Sequence, residues 1–431
     1  MKGTSKTYGL AAIALVALTV SCSDSTRARS TTSVRETSDT TTSDTSTSDT
    51  TADTGPPADP AEDGGYASVI THEVVDNPSL DAFQEKVTGL AKKVDLPGVS
   101  LLVVQHGELV QQEAWGEYTL DTIVPIASGS KWLSAATIMT LVDDGTLALD
   151  APISTYVPEL EDVKGKVGTI TLRQLLSFTS GLVKDETIPC TADPDSTMQA
   201  CAAILLKAGV VHPPGDVFRY GGQHLYLAAA IAEHVTGVPF AELFQQRIAQ
   251  PLGMAHTAFV QSGSGGQYTN VTNPNPAGGA ISTLGDYGRF LEMLVHGGVA
   301  PDGMRILSED AISEMQANQI EGAEYGTAAA FRMQLESPYG LGEWLDWTDA
   351  DGDALVLSSD GAFGFRPWID KANDLFGVYL INDRGNGYVE GNPNVTGNDE
   401  GKVHTSGNWV FEDVAEGLGG SLPSINYPNR A

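Results

Sequence analysis

The order of strand-forming and helix-forming segments constrains this fold more than any other feature of the chain. Runs rich in β-branched and aliphatic residues stand near the beginning, at Val99–Val104 and Leu109–Trp115, and similar runs return near the end. Segments with helical periodicity fill the middle. The sequence therefore predicts an α/β (α+β) domain in which both chain ends build a largely antiparallel sheet. Helices flank this sheet, and a mostly helical region is inserted between its two halves.

Two sets of segments carry this prediction. The predicted helices have apolar residues three or four positions apart. They are Ser79–Asp95, Ser130–Asp144, Leu172–Phe178, Gln223–Val235, Phe240–Ile248, Tyr287–Val295 and Trp409–Leu418. The predicted C-terminal strands are Tyr339–Trp347, Ala354–Ser358, Phe365–Ile369 and Leu375–Ile381.

The N-terminus resembles an export sequence. A basic start is followed by the apolar run Leu10–Val20, whose 11 residues are too few to span a bilayer but fit a signal peptide. Small residues before Cys22 resemble a bacterial lipoprotein processing site, which makes residues 1–22 a lipoprotein-type signal peptide and Cys22 the lipidated residue. Ordinary signal cleavage is the alternative. Both predict export, to the periplasm or the cell surface, with membrane contact only through the lipid anchor.

Residues 23–65 contain no Leu, Ile, Phe, Tyr, Trp or Met and consist mostly of Ser, Thr and Asp. Such a segment cannot bury enough apolar surface to offset its ordering entropy, so we expect a disordered linker. Residues 66–431 then form the folded domain. The whole chain has 24 Lys and Arg against 55 Asp and Glu, a net charge of −31, which argues against a nucleic-acid partner.

Cys190 and Cys201 are the cysteines of the folded part. In an exported protein this pair predicts a disulfide. No His or Cys stands at metal-ligand spacing around them, so we do not expect a metal site there.

Ser128 and Lys131 form the most informative motif. An extended segment enters a predicted helix at this point, and a Ser and a Lys three positions apart share one helix face. The electropositive helix N-terminus and burial both favour a neutral amine, which can take a proton from the hydroxyl. The pattern therefore indicates a serine nucleophile activated by lysine, although the tetrapeptide alone is also compatible with a capping Ser and a surface Lys.

The surrounding sequence resembles the serine β-lactamase-related family, which covers class C β-lactamases, family VIII esterases and D-alanyl-D-alanine carboxypeptidases. The resemblance spans about residues 80 to 415. Its blocks are Ile123–Trp132 (IVPIASGSKW), Leu141–Pro152, Thr171–Leu182 with Phe178 where His is usual, Pro213–Tyr220, Pro251–Met254, Gly278–Thr283 and Tyr339–Gly342. The Ser-x-x-Lys motif belongs to the signature of such acyl-transfer enzymes.

This resemblance implies roles for individual residues. Ser128 is the nucleophile, Lys131 its proton partner, and Tyr220 the phenol that relays a proton to the leaving group. Gly222 stands where the family has Asn, so Gln223 is the alternative candidate for a substrate contact.

The third motif of the family aligns with Ser359–Gly364 (SDGAFG). Gly361 matches the family pattern, whereas Ser359 replaces a cationic Lys or His and removes one charge-assisted contact to a substrate carboxylate. The backbone N–H of Ala362 is expected to donate to the oxyanion.

We therefore expect an exported serine hydrolase that forms an acyl-enzyme on Ser128 and acts as a carboxylesterase on small esters, without a cofactor. A β-lactamase or DD-peptidase acting on cell-wall-like amides is one alternative. A catalytically silent surface-binding module is another, favoured by the altered second and third motifs and opposed by the presence of Ser128, Lys131 and Tyr220 together.

Overall fold

The computed structural model describes residues 66–93, 95–157, 167–183, 190, 193, 196–262, 268–269, 271–327, 336–382 and 409–422. The predicted signal peptide, the lipidation site at Cys22 and the predicted linker over 23–65 lie outside these residues. Their boundaries stay predictions.

A six-stranded antiparallel sheet is built from both ends of the described chain. The strands are β1 (Gly98–Gln105), β2 (Glu108–Gly116), β10 (Trp344–Thr348), β11 (Ala354–Ser358), β12 (Arg366–Asp370) and β13 (Leu375–Leu380). Their order across the sheet is β10-β11-β12-β13-β1-β2, so the last of the described strands pairs with the first. The predicted fold class is confirmed.

Both faces of this sheet are buried, which explains why β1 is apolar at nearly every position. Leu102 and Val104 point into one core, whereas Leu101 and Val103 point into another on the opposite face. Successive side chains of a strand point to opposite faces, so a strand covered on both sides needs apolar residues at both parities.

Helices cover the two faces. On one face lie α1 (Asp81–Lys93) and α9 (Trp409–Gly417). The remaining helices are α2 (Ser130–Asp143), α3 (Leu172–Leu176), α4 (Met198–Ala208), α5 (Gln223–Thr236), α6 (Phe240–Phe244, continued by a π-helical turn over Gln245–Ala249), α7 (Leu284–Val295) and α8 (Glu309–Gln316). No single helix in the described ranges has the length and apolar composition needed to cross a membrane.

Short strands also lie outside the six-stranded sheet. They are β3 (Val124–Pro125), β4 (Val217–Arg219), β5 (Ala258–Phe259), β6 (Gln261–Ser262), β7 (Tyr268–Thr269), β8 (Ala280–Ser282) and β9 (Glu324–Thr327). The central strand of one small sheet is β8, which pairs with β3 on one side and β5 on the other. β4 pairs in parallel with β9.

Three elements differ from the sequence-based expectation. The first C-terminal strand begins at Trp344 rather than at Tyr339. The reason is that Tyr339–Gly342 passes close to α2: a Cβ on Gly342 would lie 2.5 Å from the Cβ of Ala135. The helices α4 and α8 were not predicted. Side-chain caps start both, Thr197 for α4 and Ser308 for α8, and such caps outweigh a weak apolar pattern in short helices.

Glu343 is a buried acid that directly follows the segment Tyr339–Gly342, where that segment passes α2. It is fully buried, and neither of its carboxylate oxygens has a hydrogen-bond partner among the described residues. Burial raises the pKa of Glu343 well above its usual value, while the positive charge of Lys371 acts in the opposite direction. A carboxyl group in this setting keeps its proton in the native state.

We predict that Glu343→Gln flattens the pH dependence of stability. Above about pH 4.3 the unfolded chain loses the Glu343 proton and the native chain keeps it, so the free energy of unfolding falls by up to about 1.4 kcal/mol per pH unit relative to the variant. Urea unfolding of both proteins across the neutral range measures this difference. Glu324→Gln, at an exposed position of β9, is the matched control, and parallel pH profiles for wild type and Glu343→Gln would contradict the prediction.

Candidate active site

Ser128 lies in a tight turn between a strand and a buried helix. β3 leads into a 3₁₀ turn over Ala127–Gly129, and α2 begins at Ser130 directly afterwards. Ala127 has a φ of +45°, in the left-handed region that costs a non-glycine residue about 1–2 kcal/mol. This strained turn leaves Ser128 half-buried between buried neighbours.

Hydrogen bonds from neighbouring elements hold the turn in place. Ser130 Oγ donates to the carbonyl of Ala127 at 2.7 Å, and the N–H of Ala280 donates to Ser130 Oγ at 3.0 Å. The Tyr287 hydroxyl on α7 donates to the carbonyl of Gly129 at 2.8 Å. Burial raises the pKa of Tyr287 well above its ordinary value, so this hydroxyl remains a donor. The surroundings thus over-determine the strained conformation.

Lys131 returns to Ser128 from the first turn of α2. Its Nζ donates to Ser128 Oγ at 2.8 Å and to the carbonyl of Ala277 at 2.7 Å. Lys131 is only 4% exposed. Proton transfer between a base and a hydroxyl needs heavy atoms about 2.6–3.2 Å apart, so this contact has the geometry for it.

Tyr220 lies beside this pair, at the end of β4. The centre of its ring is 4.8 Å from Lys131 Nζ. The ring stacks on Trp344 with centroids 5.1 Å apart and meets the edge of Phe178 at 5.5 Å, and the Tyr220 N–H donates to the carbonyl of Thr327. Aromatic packing and the β4–β9 pairing therefore bring the third predicted catalytic residue to the Ser–Lys pair.

Gly222 and Gln223 form the start of α5. Gly222 is the half-buried N-cap residue. Gln223 is 1% exposed, and its Nε2 lies 3.0 Å from Nε2 of the buried His224. The Gln223 amide is thus turned into the core, and its placement does not support the substrate contact suggested for it from the sequence.

The third motif is packed directly against the nucleophile segment. Ser359 is buried, and its hydroxyl donates to the carbonyl of Ser128 at 3.1 Å, with the carbonyl of Gly342 3.5 Å from the same Oγ. A Cβ on Gly361 would lie 2.4 Å from the carbonyl oxygen of Ile126. Ala362 is exposed in the turn that follows, and its predicted role at the oxyanion stays a prediction.

Cys190 and Cys201 are joined by a disulfide in the structure. Cys201 lies on α4, and the carbonyl of Cys190 accepts a hydrogen bond from Asn273 Nδ2. Asn273 in turn accepts from the Tyr226 hydroxyl on α5, so the bridge braces the helical region. Across the described residues, no group of three or more His, Cys, Asp or Glu side chains is placed to hold a metal ion.

Several contacts around the site were not identified from the sequence. The carbonyl of Ala277 accepts from Lys131, Trp344 supports Tyr220, and the ring of Phe365 fits against Gly129. Ala277 directly precedes Gly278–Thr283, one of the blocks that carry the family resemblance, and this position was the available sign that it lies near the site. The other contacts have no local sequence pattern.

The fold and this site define the class of protein. A sheet covered by helices on both faces, with a Ser-x-x-Lys pair at the mouth of a buried helix, is the arrangement of β-lactamase-fold serine hydrolases. The sequence matches the Beta-lactamase family over residues 83–396. The chain belongs to this family, which confirms the predicted relationship.

The proteins similar to this chain are named for different activities. A structure from Bacteroides dorei, assigned as a beta-lactamase, is 31% identical with a TM-score of 0.68 and covers 80% of this chain and 99% of its own. Penicillin-binding protein 4 of Amycolatopsis lactamdurans is 28% identical over 272 residues, 56% of this chain and 70% of that protein. D-amino acid amidase of Ochrobactrum anthropi shares the fold at 22% identity, with a TM-score of 0.57 over 78% of this chain and 98% of its own.

We predict that Gly361→Ala slows covalent labelling of Ser128 by a fluorophosphonate. The added methyl group has no room beside the Ile126 carbonyl and must displace the third motif, and a shift of about 1 Å at a reacting centre costs about 100-fold in rate. Gly278→Ala is the matched control, since its Cβ would meet no atom closer than 3.7 Å and should leave the rate nearly unchanged. Equal labelling rates for the two variants would show that the close approach at Gly361 does not matter.

Proposed function

We propose that this chain is a hydrolase that forms an acyl-enzyme on Ser128 and acts as a carboxylesterase on small neutral esters. The observation that carries the proposal is the 2.8 Å hydrogen bond between Lys131 Nζ and Ser128 Oγ, with the Tyr220 ring 4.8 Å from the same nitrogen. A surface lysine would not be buried against a half-buried serine in this way.

The proposed reaction uses these groups twice. The neutral amine of Lys131 takes the proton of Ser128 Oγ, which attacks the ester carbonyl carbon and places a negative charge on the carbonyl oxygen. Backbone N–H groups of Ser128 and Ala362 donate to that oxygen. The carbon–oxygen bond of the ester then breaks, and the departing alcohol receives a proton from Lys131 through the Tyr220 hydroxyl. Water attacks the acyl-enzyme by the reverse proton route and releases the acid.

Two substitutions support an ester rather than a β-lactam or a peptide terminus. Ser359 stands where relatives of this type carry a cation, and its hydroxyl is engaged with backbone carbonyls. Gly222 offers no side-chain amide to hold a substrate amide. Without these contacts a carboxylate-bearing amide loses charge-assisted recognition, whereas a neutral ester loses little.

Amide hydrolysis remains the second candidate function. It is supported by the family relatives named as a beta-lactamase and a penicillin-binding protein. Both candidate functions use the same nucleophile, so substrate comparison separates them.

We predict that wild type hydrolyses p-nitrophenyl butyrate faster than a chromogenic cephalosporin and that Ser128→Ala lowers the ester rate by roughly 10³-fold or more. Ser196→Ala, on the loop before α4, is the control and should retain activity. Intact-mass analysis after fluorophosphonate treatment should place the adduct on Ser128. Preferential cephalosporin turnover would favour the amide function, and the lack of both turnover and labelling would favour a binding module.

We further propose that the chain is exported and anchored by a lipid on Cys22. The supporting observation is the short apolar run followed by small residues and a cysteine. We predict that the full-length chain expressed in a bacterial host fractionates with membranes, and that Cys22→Ala shifts it to the soluble fraction. A soluble wild-type chain that lacks its first residues would instead indicate ordinary signal cleavage.

A further inference from the structure

A buried ion pair spans the base of the third motif. Arg366, the first residue of β12, is fully buried, and its Nη1 lies 2.6 Å from Oδ1 of Asp360. Ser358, the last residue of β11, donates its hydroxyl to the same Asp360 oxygen at 3.2 Å. The Asp360–Arg366 pair therefore ties together the two strands that the third motif connects.

Asp360 stands between two residues that face the nucleophile. Ser359 donates to the Ser128 carbonyl, and Gly361 fits against the Ile126 carbonyl. Because Asp360 points inward to Arg366, its neighbours are held at the depth at which they meet the nucleophile segment. The turn closes through the N–H of Gly361, which donates to the carbonyl of Phe365 at 2.8 Å.

The C-terminal helix covers the pair. The guanidinium carbon of Arg366 lies 4.2 Å from the centre of the Phe411 ring on α9. The same ring packs on Trp368, with centroids 5.4 Å apart, and on Trp347 at 5.9 Å. One side chain of α9 thus covers the cation and packs on β10 and β12, and β12 directly follows the third motif.

Stability alone does not explain a buried pair of this kind. Desolvation of two buried charges often cancels their attraction, and an apolar replacement of similar volume is often as stable. A role in orientation is more specific, because a planar guanidinium held by a carboxylate and an aromatic ring has few alternative positions.

We propose that the Asp360–Arg366 pair, covered by Phe411, is a positioning device that sets the third motif against Ser128 and couples the C-terminal helix to acylation. The proposal rests on the proposed function, because acylation of Ser128 is its readout. Asp360, Arg366 and Phe411 act through Ser359, Gly361 and Ala362 and do not touch the substrate.

The central test removes both charges together. The double variant Asp360→Asn with Arg366→Met leaves no unpaired buried charge, so we expect a folded protein that melts within about 5 °C of wild type. Its kcat for p-nitrophenyl butyrate should fall about 100-fold, because the oxyanion donors are misplaced. Its KM should stay near the wild-type value, and fluorophosphonate labelling should slow in parallel.

Two further variants separate positioning from general destabilisation. Phe411→Leu keeps an apolar cover but removes the ring, and we expect it to lower kcat about 10-fold at temperatures well below melting. Arg173→Lys is the control. Like Arg366, Arg173 forms ion pairs, in its case with Asp150 and Glu314, but it lies outside the third motif. It should lower the melting temperature without changing kcat.

The outcomes are distinct. A folded double variant with wild-type kcat and labelling rate overturns the positioning proposal while leaving the proposed function intact. Equal kcat losses in Arg173→Lys and in the double variant also overturn it. If wild type itself neither turns over ester nor labels at Ser128, the proposed function fails, and the positioning proposal falls with it.

Discussion

The hydrogen bond between Lys131 Nζ and Ser128 Oγ places demands on most of the structure around it. For an amine to be buried beside a hydroxyl, α2 must begin directly after the nucleophile and be enclosed on all sides, and every residue from Ser130 to Leu141 is indeed buried. A buried amine also needs a second acceptor, which the Ala277 carbonyl provides. That carbonyl is held near the nucleophile because β8, which follows it, pairs with β3.

Close backbone approach also holds the site together. The third motif meets the nucleophile segment at Gly361, and the ring of Phe365 meets it at Gly129, where an added Cβ would overlap its neighbours. Such close approach makes the position of Ser128 depend on the strands β11 and β12. The strain at Ala127 persists because these contacts and the buried hydrogen bonds allow no alternative conformation.

Local patterns predicted the elements that depend on local physics. The β1–β2 hairpin, β11 and the start of α2 were identified from periodicity and turn residues, and the Ser128–Lys131 contact follows from the spacing of a helical turn. The start of β10, the helix α8 and the burial of Gln223 were not predicted. Each of these features depends on packing against a distant segment or on a helix cap. Packing and caps leave no strong periodic pattern in the sequence.

By itself the sequence determined the antiparallel sheet built from both chain ends and the helical insertion, and it singled out the candidate Ser–Lys–Tyr set, because period, residue type and motif order are local properties. Only the tertiary structure decided what surrounds that set. The carbonyl that accepts from Lys131 lies 146 positions away along the chain. Trp344, which stacks on Tyr220, comes from β10. The buried Arg366 pairs with Asp360 beneath the third motif. These contacts arise where distant segments pack in one core, and a linear pattern does not contain that information.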